Sequence, residues 1–186
     1  MRLQIFVSLL SVANFSGSSW AFFHFFERRG PLHWRMSFLK YSTLLLTPVE
    51  AVIIWRCDSS AERLAVGIFL YVLSMSLFWW AIASARKASL GIAFGESTSC
   101  EVVTKGPYGW IRHPFYTSYL IHWAAAPICT SVSWLWVPFF VFVYFYVDVA
   151  RNEESKLLQG EFRETYQRYR EQTGMFLPLK LPRRAG

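Results

Sequence analysis

The sequence predicts an all-α polytopic membrane protein with about five transmembrane helices, the last two forming a hairpin, and a C-terminal amphipathic helix. Three observations lead there. The first is composition: 54% of the 186 residues are apolar and 17% charged, against about 45–50% and about a quarter in soluble domains. A soluble domain could not hide 17 Phe, 9 Trp and 9 Tyr without exposing large apolar patches. The second is a series of apolar runs near bilayer length. The third is the placement of the 19 basic residues between and after those runs, as expected of loops beside an anionic leaflet. The net charge of +7 is therefore read as membrane-facing, with no nucleic-acid partner.

The runs follow in order. Leu3 to Phe26 is read as a retained first helix, since its small residues Ser16 to Ser19 offer no clean cleavage site. Phe38 to Trp55 is the second, and Leu64 to Ala83, free of charge throughout, is the third. Phe115 to about Thr130 and Trp134 to Val149 are short and read as the helical hairpin. From Glu153 onward, Leu158, Phe162, Tyr166 and Tyr169 recur with helical spacing among charged residues, the pattern of an amphipathic helix. Gly174 can end it, followed by Phe176-Leu177-Pro178. The whole chain, 1–186, reads as a single domain with a three-helix membrane part (1–83) and a loop, hairpin and tail helix (84–186).

Basic residues set the expected orientation. With the N-terminus outside, segments 27–40, 84–114 and 151–186 hold sixteen Lys and Arg, while Arg2, Arg56 and Arg63 are left outside. That asymmetry predicts a cytoplasmic loop and tail.

Two constellations carry polar chemistry. The loop from Lys87 to Pro114 is long, contains Gly91, Gly95, Gly106, Pro107 and Gly109, and ends in Arg112-His113-Pro114 at the start of a helix. After the fifth run come Arg151-Asn152-Glu153-Glu154. The bland reading is interfacial charge against lipid headgroups and a helix dipole. The functional reading is a polar pocket at the membrane surface, lined by a carboxylate and by Arg112 or Arg151. Within the apolar runs, Glu50 could snorkel near the helix end, six residues before Arg56. It is expected instead to face the bundle interior and pair with a polar group such as Tyr or Ser, since a buried carboxylate is costly. His122 could pair with Asp148, which otherwise snorkels. Cys57, Cys100 and Cys129 show no paired spacing, so neither disulfide nor metal is expected.

In order along the chain, these pieces resemble the isoprenylcysteine carboxyl methyltransferase and phospholipid methyltransferase superfamily of membrane enzymes. The similar stretch runs from about Ser99 to Pro178. It comprises Val102-Val103-Thr104-Lys105-Gly106-Pro107-Tyr108, Arg112-His113-Pro114-Phe115-Tyr116, Glu153-Glu154 and the tail pattern through Phe176-Leu177-Pro178. The resemblance implies S-adenosylmethionine as cofactor, held between loop, hairpin and tail. It lays Cys100, Glu101, Val102, Val103 and Tyr108 along that cofactor and closes His113, Pro114, Phe115 and Tyr116 around it. Glu154 would also contact it, Arg151 would face substrate, and Arg112, Arg151 and Glu154 would form the catalytic set. Three departures stand out. Cys100 occupies a position where some carboxyl methyltransferases carry His, and Ser118 replaces a Gly. Arg151 lies three residues before Glu154 rather than four.

No G-x-G-x-x-G or Walker A segment is present, which excludes a Rossmann methyltransferase. The expected activity is methyl transfer to a lipophilic or prenylated membrane acceptor, first of the isoprenylcysteine carboxyl type. Phospholipid amine or lipophilic thiol methylation is the alternative. The rival from another class is a non-catalytic membrane scaffold or carrier.

Overall fold

A computed structural model describes residues 2–25, 34–86, 102–160 and 163–178. The described residues contain six α-helices and no strand: α1 (Arg2–Phe25), α2 (Trp34–Arg56), α3 (Ala61–Arg86), α4 (Pro114–Thr130), α5 (Trp136–Gln159) and α6 (Arg163–Gln172). Among them α2, α3 and the segment Ser133–Gln159 are long and apolar enough to cross a membrane.

Apolar clusters fill the interior, yet polar groups are gathered there too and many large apolar side chains face outward. Ser11, Asn14, Thr47, Glu50, Ser74, Ser118 and His122 are buried, while Leu9, Leu45, Phe69, Val137, Phe140 and Tyr144 are exposed. In water that distribution would expose a large sticky surface. In a bilayer, apolar side chains are already solvated, and small or hydrogen-bonding residues are what hold helices together. Helices α3 and α4 pair most extensively. A Cβ added at Gly67 would lie 2.7 Å from Cβ of Cys129, and Ser74 Oγ donates to the Ser118 carbonyl at 2.8 Å. Asn14 Nδ2 ties α1 to α3 through the Tyr71 carbonyl at 2.9 Å.

Glu50 is the polar centre of the bundle, 1% exposed. Ser11 Oγ of α1 donates to its Oε1 at 3.2 Å, and Tyr71 OH of α3 donates to the same oxygen. The expected pairing with Tyr and Ser is therefore present. His122 of α4 brings Nε2 to 3.6 Å from the second oxygen, so four helices meet at one carboxylate. The expected pairing of His122 with Asp148 is corrected: Asp148 Oδ2 lies 2.7 Å from Arg35 Nε. Arg35 lies in the first turn of α2 and Asp148 at the middle of α5, so the pair ties the start of one helix to the middle of the other.

One boundary differs from the sequence reading. The tail helix expected from Glu153 is two pieces. Residues 150–159 hold good helix formers and no breaker, so α5 runs unbroken from its apolar part to Gln159. The break falls at Gly160, before α6. Phe162 and residues 87–101 of the long loop lie outside the described residues.

Candidate functional site

The stretch before α4 is shaped by its glycines and prolines. Gly106 adopts φ +63°, and a Cβ there would overlap the Ser84 side chain of α3. Both the conformation and the close approach thus call for glycine. Gly106–Gly109 forms a 3-10 turn, and Trp110 and Ile111 N–H groups both donate to the Pro107 carbonyl at 3.0 Å. The chain then extends through Arg112 and His113 before Pro114 opens α4, where its missing N–H costs nothing.

That short extended piece is stitched to the tail. Arg112 N–H donates to the Gly174 carbonyl at 2.8 Å and His113 N–H to the Met175 carbonyl at 3.1 Å, a parallel bridge beside Ile111 and Gly174. Thr117 Oγ1 adds a bond to the Phe176 carbonyl at 3.1 Å. From α6, Tyr169 OH donates to the Tyr108 carbonyl at 2.7 Å. Loop, α4 and tail are thereby fixed to one another by two backbone bonds and two side-chain hydroxyl bonds.

Glu154, on α5, is the centre of this junction. Its side chain is 4% exposed, and Arg112, 8% exposed, donates from Nε to Oε1 at 2.8 Å. His113 Nε2 lies 3.1 Å from the same oxygen, and Arg170 Nε of α6 lies 3.6 Å from Oε2. Arg112 also donates from Nη1 to the carbonyls of Thr173 and Arg170. A buried carboxylate is tolerable only when paired and hydrogen-bonded, and this one is. Arg112 is 8% exposed, so most of its side chain is turned to protein groups.

Glu153, one residue earlier, points elsewhere. Its side chain is 32% exposed, and its Oε2 lies 3.7 Å from His113 Nδ1. Tyr116 OH donates to its Oε1 at 2.5 Å. The two ring nitrogens of His113 thus face two different carboxylates. Behind them is a stack of rings: His113 on Tyr116 at 5.5 Å, Tyr116 on Tyr146 at 5.2 Å, and Tyr146 on Tyr119 at 5.7 Å. Phe176 lies 6.0 Å from His113, and Tyr108 meets Phe115 edge-on at 6.5 Å. Burial pushes the phenols of Tyr108, Tyr166 and Tyr169 above their ordinary range, so they remain neutral hydroxyl groups at neutral pH.

Of the residues singled out from sequence, Arg112, His113, Tyr116 and Glu154 are brought into direct contact, and Tyr108, Pro114 and Phe115 line the same junction. Val102 and Val103 are half-buried on the extended approach to it. Cys100 and Glu101 lie outside the described residues. Arg151 is exposed, and among the described residues no hydrogen bond or ion pair joins it to the cluster. Between the two arginines left open by sequence, Arg112 is the one beside the carboxylate. Sequence reasoning missed Arg170 and Thr173. Their positions one and four residues after Tyr169 carried no distinguishing signal.

A family model described as phospholipid methyltransferase matches residues 62–165. No curated protein and no solved structure matches the chain. The family match takes in α3 to the start of α6, with every site residue through Glu154, and stops short of Tyr169, Arg170, Thr173 and Phe176.

Proposed function

The chain belongs to the phospholipid methyltransferase family and is a membrane methyltransferase; on that premise we propose that it methylates the amine of a phospholipid from S-adenosylmethionine. The observation that carries the reading is the buried Arg112–Glu154–His113 junction, which joins loop, hairpin and tail at one end of the bundle. The residues suit the donor. Ring faces of Tyr116 and Phe176 suit a cationic sulfonium, Tyr108 and Phe115 offer apolar faces for a purine, and His113 and Glu154 offer polar atoms for the amino-acid end. When bound, such a donor supplies an electrophilic methyl carbon whose C–S electron pair stays with sulfur as the acceptor bond forms.

The protein's task in such an in-line displacement is mainly positional, a contribution worth about 7–11 kcal/mol in well-oriented systems. Arg112 holds Glu154, the backbone bridge holds His113, and the ring stack excludes water from one side. A phospholipid amine is placed first because the matching family model is the phospholipid one. The ordered motifs from Ser99 to Pro178 also fit an isoprenylcysteine carboxylate, which is the second reading. Purified protein with methyl-labelled S-adenosylmethionine should label phosphatidylethanolamine in mixed micelles. Label on a farnesylcysteine analogue alone would favour the second reading, and label on neither would remove both.

The sixteen-to-three split of basic residues supports a cytoplasmic junction, where a water-soluble donor is available. In a background without the native cysteines, an impermeant thiol reagent applied to intact cells should label a cysteine at exposed position Ser60 and miss one at exposed Gln167. The opposite pattern would invert the orientation.

A further inference from the structure

The seam between α2 and α5 holds a groove of about 420 Å³, lined by apolar side chains apart from Ser42. Phe38, Ser42 and Leu46 form one wall from α2, and Val137, Val141 and Phe142 the other from α5. Phe38, Val137 and Val141 are exposed, so the groove opens on the outer surface of the bundle, while Phe142 at its floor is buried. Its volume is that of a small-molecule site. From Phe38 to Leu46 the wall advances eight positions, about 12 Å at roughly 1.5 Å per residue. That matches one leaflet of a hydrocarbon core about 30 Å thick and is too short to seat a spanning helix. At one end the Phe38 and Phe145 rings close over the groove at 4.5 Å. One turn further stands the Arg35–Asp148 pair, 2.7 Å apart with both side chains 32% exposed. Phe38 follows Arg35 by three residues and Phe145 precedes Asp148 by three, so the pair continues the same faces of both helices. Arg35 precedes the apolar run Phe38 to Trp55 and Asp148 closes the run Trp134 to Val149, the level at which hydrocarbon gives way to headgroups.

We propose that this seam holds one zwitterionic phospholipid, with an acyl chain in the groove, its phosphate against Arg35 and its amine against Asp148. The pair is neutral as a whole and presents one charge of each sign, which a zwitterionic headgroup matches. An anionic headgroup satisfies Arg35 and sets a second negative charge beside Asp148, which is repulsive. Hydrocarbon in the groove gives its walls the close contacts that an empty space withholds. The seat is distinct from the transfer site. Phe142 packs on Trp123 at 4.5 Å and on Tyr146 at 6.3 Å, and Tyr146 stacks on Tyr116, so these rings stand between the groove and His113. The lipid held here therefore lies beside the reacting one, whichever acceptor is methylated.

Delipidated protein in detergent, given equal amounts of phosphatidylethanolamine and phosphatidylglycerol with the same chains, should retain one lipid in native mass spectrometry. Phosphatidylethanolamine should be favoured by about fivefold, the worth of one partly exposed charge contact. Asp148→Asn removes the partner of the amine, keeps Arg35, and should turn the preference toward phosphatidylglycerol. Ser42→Trp fills the groove and should abolish retention of both, with affinity for S-adenosylhomocysteine within about threefold of wild type. Wild type that retains no lipid, or both lipids equally, would overturn the seat, as would a folded Ser42→Trp protein that keeps its lipid. A lipid-free dimer that Ser42→Trp splits would assign the groove to a second copy of the chain instead. Loss of S-adenosylhomocysteine affinity in folded Ser42→Trp would join groove and transfer site and overturn their separation. Should Ser42→Trp fail to fold, Asp148→Asn decides alone, because it leaves the groove unfilled: an unchanged headgroup preference overturns the proposal.

Discussion

Glu154→Ala should lower affinity for S-adenosylhomocysteine at least tenfold and destabilise the protein in the same stroke. The carboxylate joins Arg112, His113 and Arg170, which come from the start of α4 and from α6. Removing one partner of a buried ion pair leaves the other charge uncompensated, at a cost of about 3–5 kcal/mol. Arg112 retains the Thr173 and Arg170 carbonyls, so the lower end of that range applies. For a chain of this size about 3 kcal/mol corresponds to a fall in Tm of roughly 6–12 °C. His113→Ala and Tyr108→Ala leave the Arg112–Glu154 pair in place and should weaken the same affinity with a smaller change in Tm. Calorimetry and thermal unfolding in detergent measure both quantities. Wild-type affinity in a folded Glu154→Ala protein would place the donor elsewhere.

Glu50→Ala should give the complementary result, a lower Tm with affinity unchanged. Its loss strands the Tyr71 and Ser11 hydroxyl groups in the bundle interior, and an unsatisfied buried group costs about 1–3 kcal/mol. His122, which faces Glu50, lies nine residues along α4 from His113, roughly 13 Å at about 1.5 Å per residue. The two clusters share a helix and no contact. Glu50→Gln keeps an acceptor for both hydroxyl groups and should restore most of the Tm. An unshifted melting curve for Glu50→Ala would mean that the four-helix junction contributes nothing. A loss of S-adenosylhomocysteine affinity at normal Tm would tie Glu50 to the donor site.

How far the sequence could be read depended on the range of the interaction involved. Apolar run length and helical period are local properties, so the helices from α1 to α5 were legible, as were Pro114 at the start of α4 and the amphipathic face carrying Tyr166 and Tyr169. A carboxylate in an apolar run carries a desolvation cost that some partner must offset, so the run offered Glu50 two outcomes, snorkelling at the helix end or pairing in the interior, and helix packing gave it the second. The ordered motifs placed Arg112, His113, Tyr116 and Glu154 in one site, because a family resemblance encodes tertiary proximity indirectly.

What the chain alone could not decide was partner choice over long sequence separation. His122 had two carboxylates within its apolar surroundings, Glu50 and Asp148, and only the crossing of α2 against α4 gave it Glu50, while Arg35 took Asp148. Arg112 and Arg151 are equally basic on paper. The backbone bridge to Gly174 and Met175 turns Arg112 inward, whereas Arg151 falls on an exposed face of α5. Glu153 and Glu154 are the same side chain one residue apart, and the turn of about 100° between successive helix positions sends one to Tyr116 and the other to Arg112. Composition and period fix which residues are buried in a membrane. Which buried groups meet is set by how the helices pack, because the strength of a polar contact depends on ångström-scale geometry that no local pattern records.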